Sequence, residues 1–314
     1  MKKALAGIVA ALLPLASLAA YPDRPIKMIV PWAAGGDTDN IFRPFAPLLQ
    51  KHLGGQATVV IANIGGASGT KGAKEAKDSP PDGYTLYAIH DYIHSTYYAG
   101  VADVQYSDFE PICLISSTAS VLTASPKTPW KNWQEFLADA KKRPGQITVG
   151  ATLASTSHFF PALIEQAAGI KFKYVSYEGL APRMNAILGG HIDLTDANLT
   201  QKGKVEAAQL KFLAIATEKR HPEMPTIPTL KELGINVVYD VNRGIVVPKG
   251  TPADVIATLG KACSAAAKEP DFTKAMKLQG TDVRYMDRAA YSSWLKKNDD
   301  LNRQLAKDLG LLKR

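Results

Sequence analysis

Cysteine is nearly absent from this chain: Cys113 and Cys263 are the only two in 314 residues. At most one disulfide can form, and two buried thiols are the alternative; an oxidising compartment permits either. Beyond the first twenty residues there is no long uncharged apolar run. That excludes a further membrane span, which needs about 20 apolar residues to cross a core of ~30 Å. No Lys/Arg block rich enough for nucleic acid is present. The formal net charge of +8 is spread along the sequence and reads as solubility with a weak attraction for anions. Low-complexity linkers and short-period repeats are missing as well.

Three catalytic or metal signatures also fall short. "GGASGTKG" contains Gly and Lys but lacks the G-x-x-x-x-G-K-[ST] spacing of a phosphate-binding loop. "GASGT" misses G-x-S-x-G by one position. Ser155 and Ser157 lie beside His158, but a triad needs convergence in space of base and orienting acid. His90 and His94 stand four apart with Asp91 nearby, a metal-compatible spacing on a helix, yet no third ligand is evident. No enzyme, metal site or cofactor is expected.

What is present begins with "MKKALAGIVAALLPLASLAAYPDRP". Lys2 and Lys3 form a positive start, Ala4–Ala16 a short apolar stretch broken by Pro14, and Ser17-Leu18-Ala19 a small-residue cleavage pattern. This reads as a secretory signal peptide over residues 1–19. Cleavage there removes 19 of the 314 residues and two of the 37 basic ones, leaving 295 residues at a net +6. A soluble, exported protein follows. A chain of that length usually splits into two cores.

The rest alternates strand-like and helix-like pieces. "IKMIV", "TVVIAN" and "YTLYAI" are strands; Ile41–Leu53 and Gly72–Ala76 are helical. Near-continuous apolar strands between helices indicate a parallel sheet covered on both faces. Phe109–Ser116 and Val121–Ser125 are further apolar runs. A second series follows "SPKTPW". In "NWQEFLADAKKRPG", Trp133, Phe136, Leu137 and Ala140 share one helical face. "QITVGAT", "FKYVSY", "IDLTDAN" and "FLAIAT" are strands. "STSHFFPALIEQAAG" and "LAPRMNAILGG" are helices, the first closed by Gly169. The C-terminal part is helix-rich: Pro252–Lys268, Pro270–Leu278 and Arg288–Leu309. A crossing near Leu122–Ser125 and a return near Val241–Val247 divide the chain into residues 20–122 plus 245–314 and residues 123–244. Ligands of α/β sheets lie outside the carboxyl ends of strands.

Three strand ends carry glycines or hydroxyls ahead of a helix: "PWAAGGDTDN", "NIGGASGTKGA" and "GATLASTSHF". Glycine lets a ligand approach bare backbone. A helix start offers unpaired N–H groups and partial positive charge, which favour a carboxylate or phosphate. Each loop alone is explained by a cap or a tight turn; three together point to binding.

These stretches, with "PPDGYTLY", "YEGLAPRMNAILGGHIDL" and "VPKGTP", resemble in order and spacing the tripartite tricarboxylate transporter receptors of the TctC/Bug type. The likeness runs over nearly the whole mature chain. It implies an α/β, two-lobed periplasmic-binding-protein fold of the Venus-flytrap kind, type II, with the ligand cleft between the lobes. It also implies a monomer without catalysis that delivers small organic acids to a membrane permease. By this resemblance one ligand carboxylate is held by Trp32, Ala33, Gly35, Gly36, Asp37, Thr38 and Asp39 and by Gly66, Ser68, Gly69 and Thr70. The far end meets Thr152, Ser155, Thr156, Ser157, His158, Tyr177, Asp196 and Asn198. The chain departs from the family pattern at Asp37, at His90-Asp91-Tyr92, at Arg183 and at Arg243, making the cleft more charged. Asp39 can cap its helix. Asp37 and Asp91 face water, pair with Arg243 or Arg183, or receive a cationic group of the ligand. A dicarboxylate, an aromatic acid and an amino acid all remain open.

Overall fold

The computed structural model describes residues 21–54 and 58–314; the proposed signal peptide lies outside them. In chain order the elements are β1 (Ile26–Val30), α1 (Asp37–His52), β2 (Val59–Asn63), α2 (Thr70–Asp78), β3 (Thr85–His90), α3 (Tyr92–Tyr98), β4 (Phe109–Ala119) and β5 (Val121–Ala124). There follow α4 (Trp133–Lys142), β6 (Thr148–Ala151), α5 (Thr156–Ala168), β7 (Lys173–Ser176), α6 (Leu180–Gly189), β8 (Leu194–Ala197), α7 (Lys202–Glu206) and β9 (Lys211–Ile215). The chain closes with β10 (Asp240–Pro248), α8 (Ala253–Ala267), α9 (Pro270–Leu278), β11 (Asp282–Met286) and α10 (Arg288–Asp308).

Two sheets form, ordered β11-β4-β10-β3-β1-β2 and β7-β6-β8-β5-β9. Each contains three parallel strands, β2-β1-β3 and β7-β6-β8, as the apolar runs predict. Each also takes in one antiparallel strand that has just crossed from the other sheet: β10 in the first and β5 in the second. The molecule is therefore two-lobed, with the periplasmic-binding-protein architecture.

The chain changes sheets at Ser120 and again between Tyr239 and Asp240. There Ser120 N–H donates to the Tyr239 carbonyl at 3.1 Å, and Ala216 N–H donates to the Ser120 carbonyl at 2.9 Å. Thus the two crossings run side by side. They lie slightly ahead of the expected divisions because β10 pairs with β4 along its whole length, from Asp240 to Pro248.

Separate cores support the two lobes. The first gathers Ile26, Met28, Phe42, Phe45, Leu86, Ile112, Leu114, Leu259 and Phe272. The second gathers Leu122, Trp130, Trp133, Phe136, Val149, Phe160 and Leu194. The expected apolar face of α4 is buried at Trp133, Phe136 and Ala140, and Asn132 caps it by accepting the Glu135 N–H at 2.9 Å. Cys113 on β4 and Cys263 on α8 form a disulfide inside the first lobe.

Two differences from the sequence reading matter. β11 was not foreseen; "DVRYM" carries charge and pairs only on one side, as an edge strand does. And α1 starts at Asp37, one turn earlier than expected. Gly36, in extended conformation, is its N-cap, and two acids in the first turn suit the positive end of the helix.

Candidate functional site

A cavity between the lobes is lined by Trp32, Gly36, Asp37, Thr38 and His90 from the first lobe. Thr152, Ser155, Thr156, Ser157, Gly179, Leu180, Arg183 and Asp196 line it from the second, and Val241 and Arg243 from the returning strand. Its free volume is about 50 Å3, several times the ~10–15 Å3 that one water needs.

Three helices begin at this cavity. Gly36 precedes α1, Ser155 precedes α5 and Gly179 precedes α6. The first amides of a helix have no intrahelical partner. Among the described residues, those of Asp37, Thr38, Thr156, Ser157 and Leu180 are not taken up elsewhere. Thr152 ties two of the starts together. Its N–H donates to Ser157 Oγ at 3.0 Å, and its Oγ1 accepts the Gly179 N–H at 2.9 Å.

Two buried arginines add positive charge. Arg243 Nε donates to Thr38 Oγ1 at 3.2 Å and its Nη1 to Thr118 Oγ1 at 2.8 Å. Its Nη2 stands 3.8 Å from Asp37 Oδ2. Arg183 donates through Nε to the Gly179 carbonyl and through Nη1 to Thr195 Oγ1 and the Asp196 carbonyl. Burial lowers both guanidinium pKa values somewhat, opposed by the neighbouring carboxylates; both stay charged.

The two acids face this space from opposite lobes. Asp37 Oδ2 accepts Asn198 Nδ2 at 2.6 Å across the cleft, while its Oδ1 is buried without a hydrogen bond. Asp196 Oδ1 is likewise buried and unpaired. Burial pushes the Asp196 carboxyl up to about 7; Arg183 opposes this and the Asp37 charge adds to it.

On the first-lobe wall Trp32 Nε1 donates to His90 Nε2 at 2.8 Å. An imidazole that accepts there is neutral, and burial together with Arg243 holds its pKa well below the ordinary histidine value.

Several expected residues are elsewhere. Asp39 does not cap α1: it is the third residue of the helix, fully buried, and accepts from Gly35 N–H (2.8 Å), Arg43 Nε (2.7 Å) and Asn63 Nδ2 (2.9 Å). It therefore knots the loop from behind. Ala33 and Gly35 are exposed and are not part of the cavity lining.

The loop Gly66–Thr70 does not line the cavity either. Positive φ at Gly66, Ala67, Ser68 and Gly69 turns the Ser68 N–H towards the other lobe. There the Glu178 carboxylate accepts it at 3.0 and 3.3 Å, and Ser68 Oγ donates to the Leu153 carbonyl at 3.1 Å.

Asp91 is largely buried and has no arginine partner. Asn242 N–H (2.7 Å), Asn242 Nδ2 (3.3 Å) and Asn298 Nδ2 (2.8 Å) all donate to it. It belongs to a second cavity of about 450 Å3, shared with Tyr239, Trp294 and Leu305. That space is larger, but none of the buried unpaired polar atoms of the described residues belongs to its walls. His158 and Tyr177 pack beside the site rather than in it; His158 Nδ1 accepts the Ala154 N–H and its ring sits on Tyr174. His90 ends β3 whereas His94 lies in α3 and bonds Asp299, so the two do not share a helical face.

The sequence profile described as the tripartite tricarboxylate transporter family receptor matches residues 41–311. The chain belongs to this family. A Cupriavidus necator relative, "UPF0065 protein in gbd 5'region", is 31% identical over 295 residues, covering 93% of this chain and 90% of that one. The solved structure of periplasmic binding protein BugD superposes with a TM-score of 0.88 at 32% identity, over 94% of this chain and 100% of that one. MatC from Rhodopseudomonas palustris, solved with bound malate, gives a TM-score of 0.83 at 25% identity, over 91% and 99%. The tripartite tricarboxylate transporter family is one of receptors, not of enzymes. Gly179 and Leu180, which line the cavity, were missed as site residues, although "YEGLAP" carries the signal of a glycine at a helix start.

Proposed function

We propose that this chain is a periplasmic receptor that captures a small organic carboxylate between its lobes and presents it to a membrane permease. The observation that carries the reading is the meeting of three helix starts and two buried arginines around one cavity. Free amides and helix dipoles favour an anion, and guanidinium groups add charge-assisted donors. The malate found in MatC is an acid of this kind.

The energy is adequate. Micromolar binding is roughly −8 kcal/mol, and a hydrogen bond to a charged group contributes about 1.5–3 kcal/mol. A few amide donors reach that sum before desolvation is subtracted. Closure is favoured because the Thr156, Ser157 and Leu180 amides engage the ligand only when the lobes meet, and the ligand shifts the open–closed equilibrium by that difference.

Calorimetric titration with a panel of mono-, di- and tricarboxylates, hydroxy acids and amino acids tests the reading. At least one should bind with micromolar or tighter affinity. Arg243→Met should weaken that binding by roughly 10–100-fold, the loss of one charged hydrogen bond. Unchanged affinity in Arg243→Met would remove this cavity as the site. Residues 1–19 are proposed as the export signal; N-terminal sequencing of the exported protein should begin at Ala20.

A further inference from the structure

The two unpaired carboxylate oxygens say what the other end of the ligand is. We infer that the cavity is built for a ligand carrying a protonated amine beside its carboxylate, the amine held between Asp37 and Asp196. This rests on the receptor reading of the same cavity and narrows it to small amino-acid-like zwitterions.

Asp37 comes from the first turn of α1 and Asp196 from β8, in opposite lobes. Both line the same space, and in both Oδ1 is buried without a hydrogen bond. Asp196 is only 7% exposed. Buried polar atoms in native proteins are nearly always paired, so two orphan oxygens on residues that line one cavity call for donors that arrive with the ligand.

The arginines do not meet that need. Arg183 gives Nε and Nη1 to neutral oxygens, and Arg243 gives Nε and Nη1 likewise. The nearest approach of Arg243 to Asp37 is 3.8 Å, and to Oδ2 rather than Oδ1. A dicarboxylate brings only acceptors, whereas an ammonium brings three donors.

Charge balance points the same way. Once Asp196 is ionised, as at pH 8, Asp37 and Asp196 offset Arg183 and Arg243, so a ligand of net zero charge leaves the closed cavity neutral. A dianion leaves two buried charges uncompensated, which low-dielectric surroundings penalise heavily. Among the described residues no group of three or more His, Cys, Asp or Glu is placed to hold a metal ion, so the demand is for hydrogen-bond donors, not for a bare cation.

Matched pairs test the inference. Alanine against lactate, serine against glycerate and aspartate against malate differ only in amine for hydroxyl. In titrations at pH 8 the best-bound amino acid should exceed its hydroxy partner at least tenfold. Asp196→Asn and Asp37→Asn keep the shape and remove the charge, and each should cut amino-acid binding at least tenfold while raising that of the hydroxy acid. Thermal unfolding of both variants checks that they fold. Equal or tighter binding of the hydroxy acids to the native protein overturns the inference and leaves the carboxylate receptor standing. If no member of any pair binds, the inference falls, while the receptor reading stands or falls on the wider carboxylate panel.

Discussion

Glu178, at the start of α6, holds the Ser68 N–H of the opposite lobe at 3.0 Å. The carboxylate that sits in this glycine-rich turn is one of the protein's own. It joins the lobes beside the cavity rather than within it. Because Glu178 is exposed, solvent screens the contact, and about 1 kcal/mol is a fair magnitude. Glu178→Ala should therefore shift the empty protein towards the open form. Small-angle scattering should show a larger radius of gyration, and ligand affinity should fall roughly fivefold, the equivalent of that energy. Identical scattering curves and affinities would mean the contact has no part in closure.

Gly179 has φ 89° and ψ −178°, a conformation that residues with a Cβ avoid at a cost of about 1–3 kcal/mol. Gly179→Ala should lower the melting temperature and also weaken binding, since the start of α6 carries Leu180 and Arg183 into the cavity. A variant with wild-type affinity would show that this turn need not be held so tightly.

Asp196 makes both stability and binding depend on pH. Its folded-state pKa is raised from 3.8 to about 7, so the folded chain keeps a proton that the unfolded chain gives up. That contribution is fully present below about pH 4 and is lost as pH climbs through about 7. Asp91, raised to about 7 chiefly by burial, acts in the same sense. Asp196→Asn should flatten the fall in stability between pH 4 and 7, read by denaturant unfolding at several pH values. The groups that face Asp196 are Arg183, Ser120, Asp37 and Arg243. An amine-bearing ligand needs the ionised acid and should bind more tightly as pH rises through about 7. A plain carboxylate should do the reverse.

The disulfide spans 150 residues of sequence. Closing a loop of that length in the unfolded chain stabilises a fold by roughly 2–5 kcal/mol. Replacing Cys113 and Cys263 together by Ala should lower stability by that order. Ligand affinity should hardly change, because both cysteines are in the first lobe and neither lines the cavity. Lost affinity in a folded double variant would show that the bridge shapes the site.

Local signals were legible in the sequence. The glycine pair ahead of two acids, "STSHF" at a helix start and the odd charges of Arg183 and Arg243 all led to residues that line the cavity. What depended on distant partners was not. A glycine turn reads alike whether it serves a ligand or the other lobe, and nothing near Ser68 announces Glu178, 110 positions on. Asp91 took its meaning from Asn242 and Asn298, which stand 151 and 207 positions away. The pairing of Cys113 with Cys263 likewise needed β4 and α8 to be brought together.

Trp32 borders the cavity with its indole N–H fixed on His90. The other three tryptophans are remote from that space: Trp130 and Trp133 lie in the second core, and Trp294 sits on α10. A solute that displaces water from the cavity therefore alters the surroundings of one indole in four. The protein carries its own optical reporter, and occupancy should be readable as a change in intrinsic fluorescence without any label.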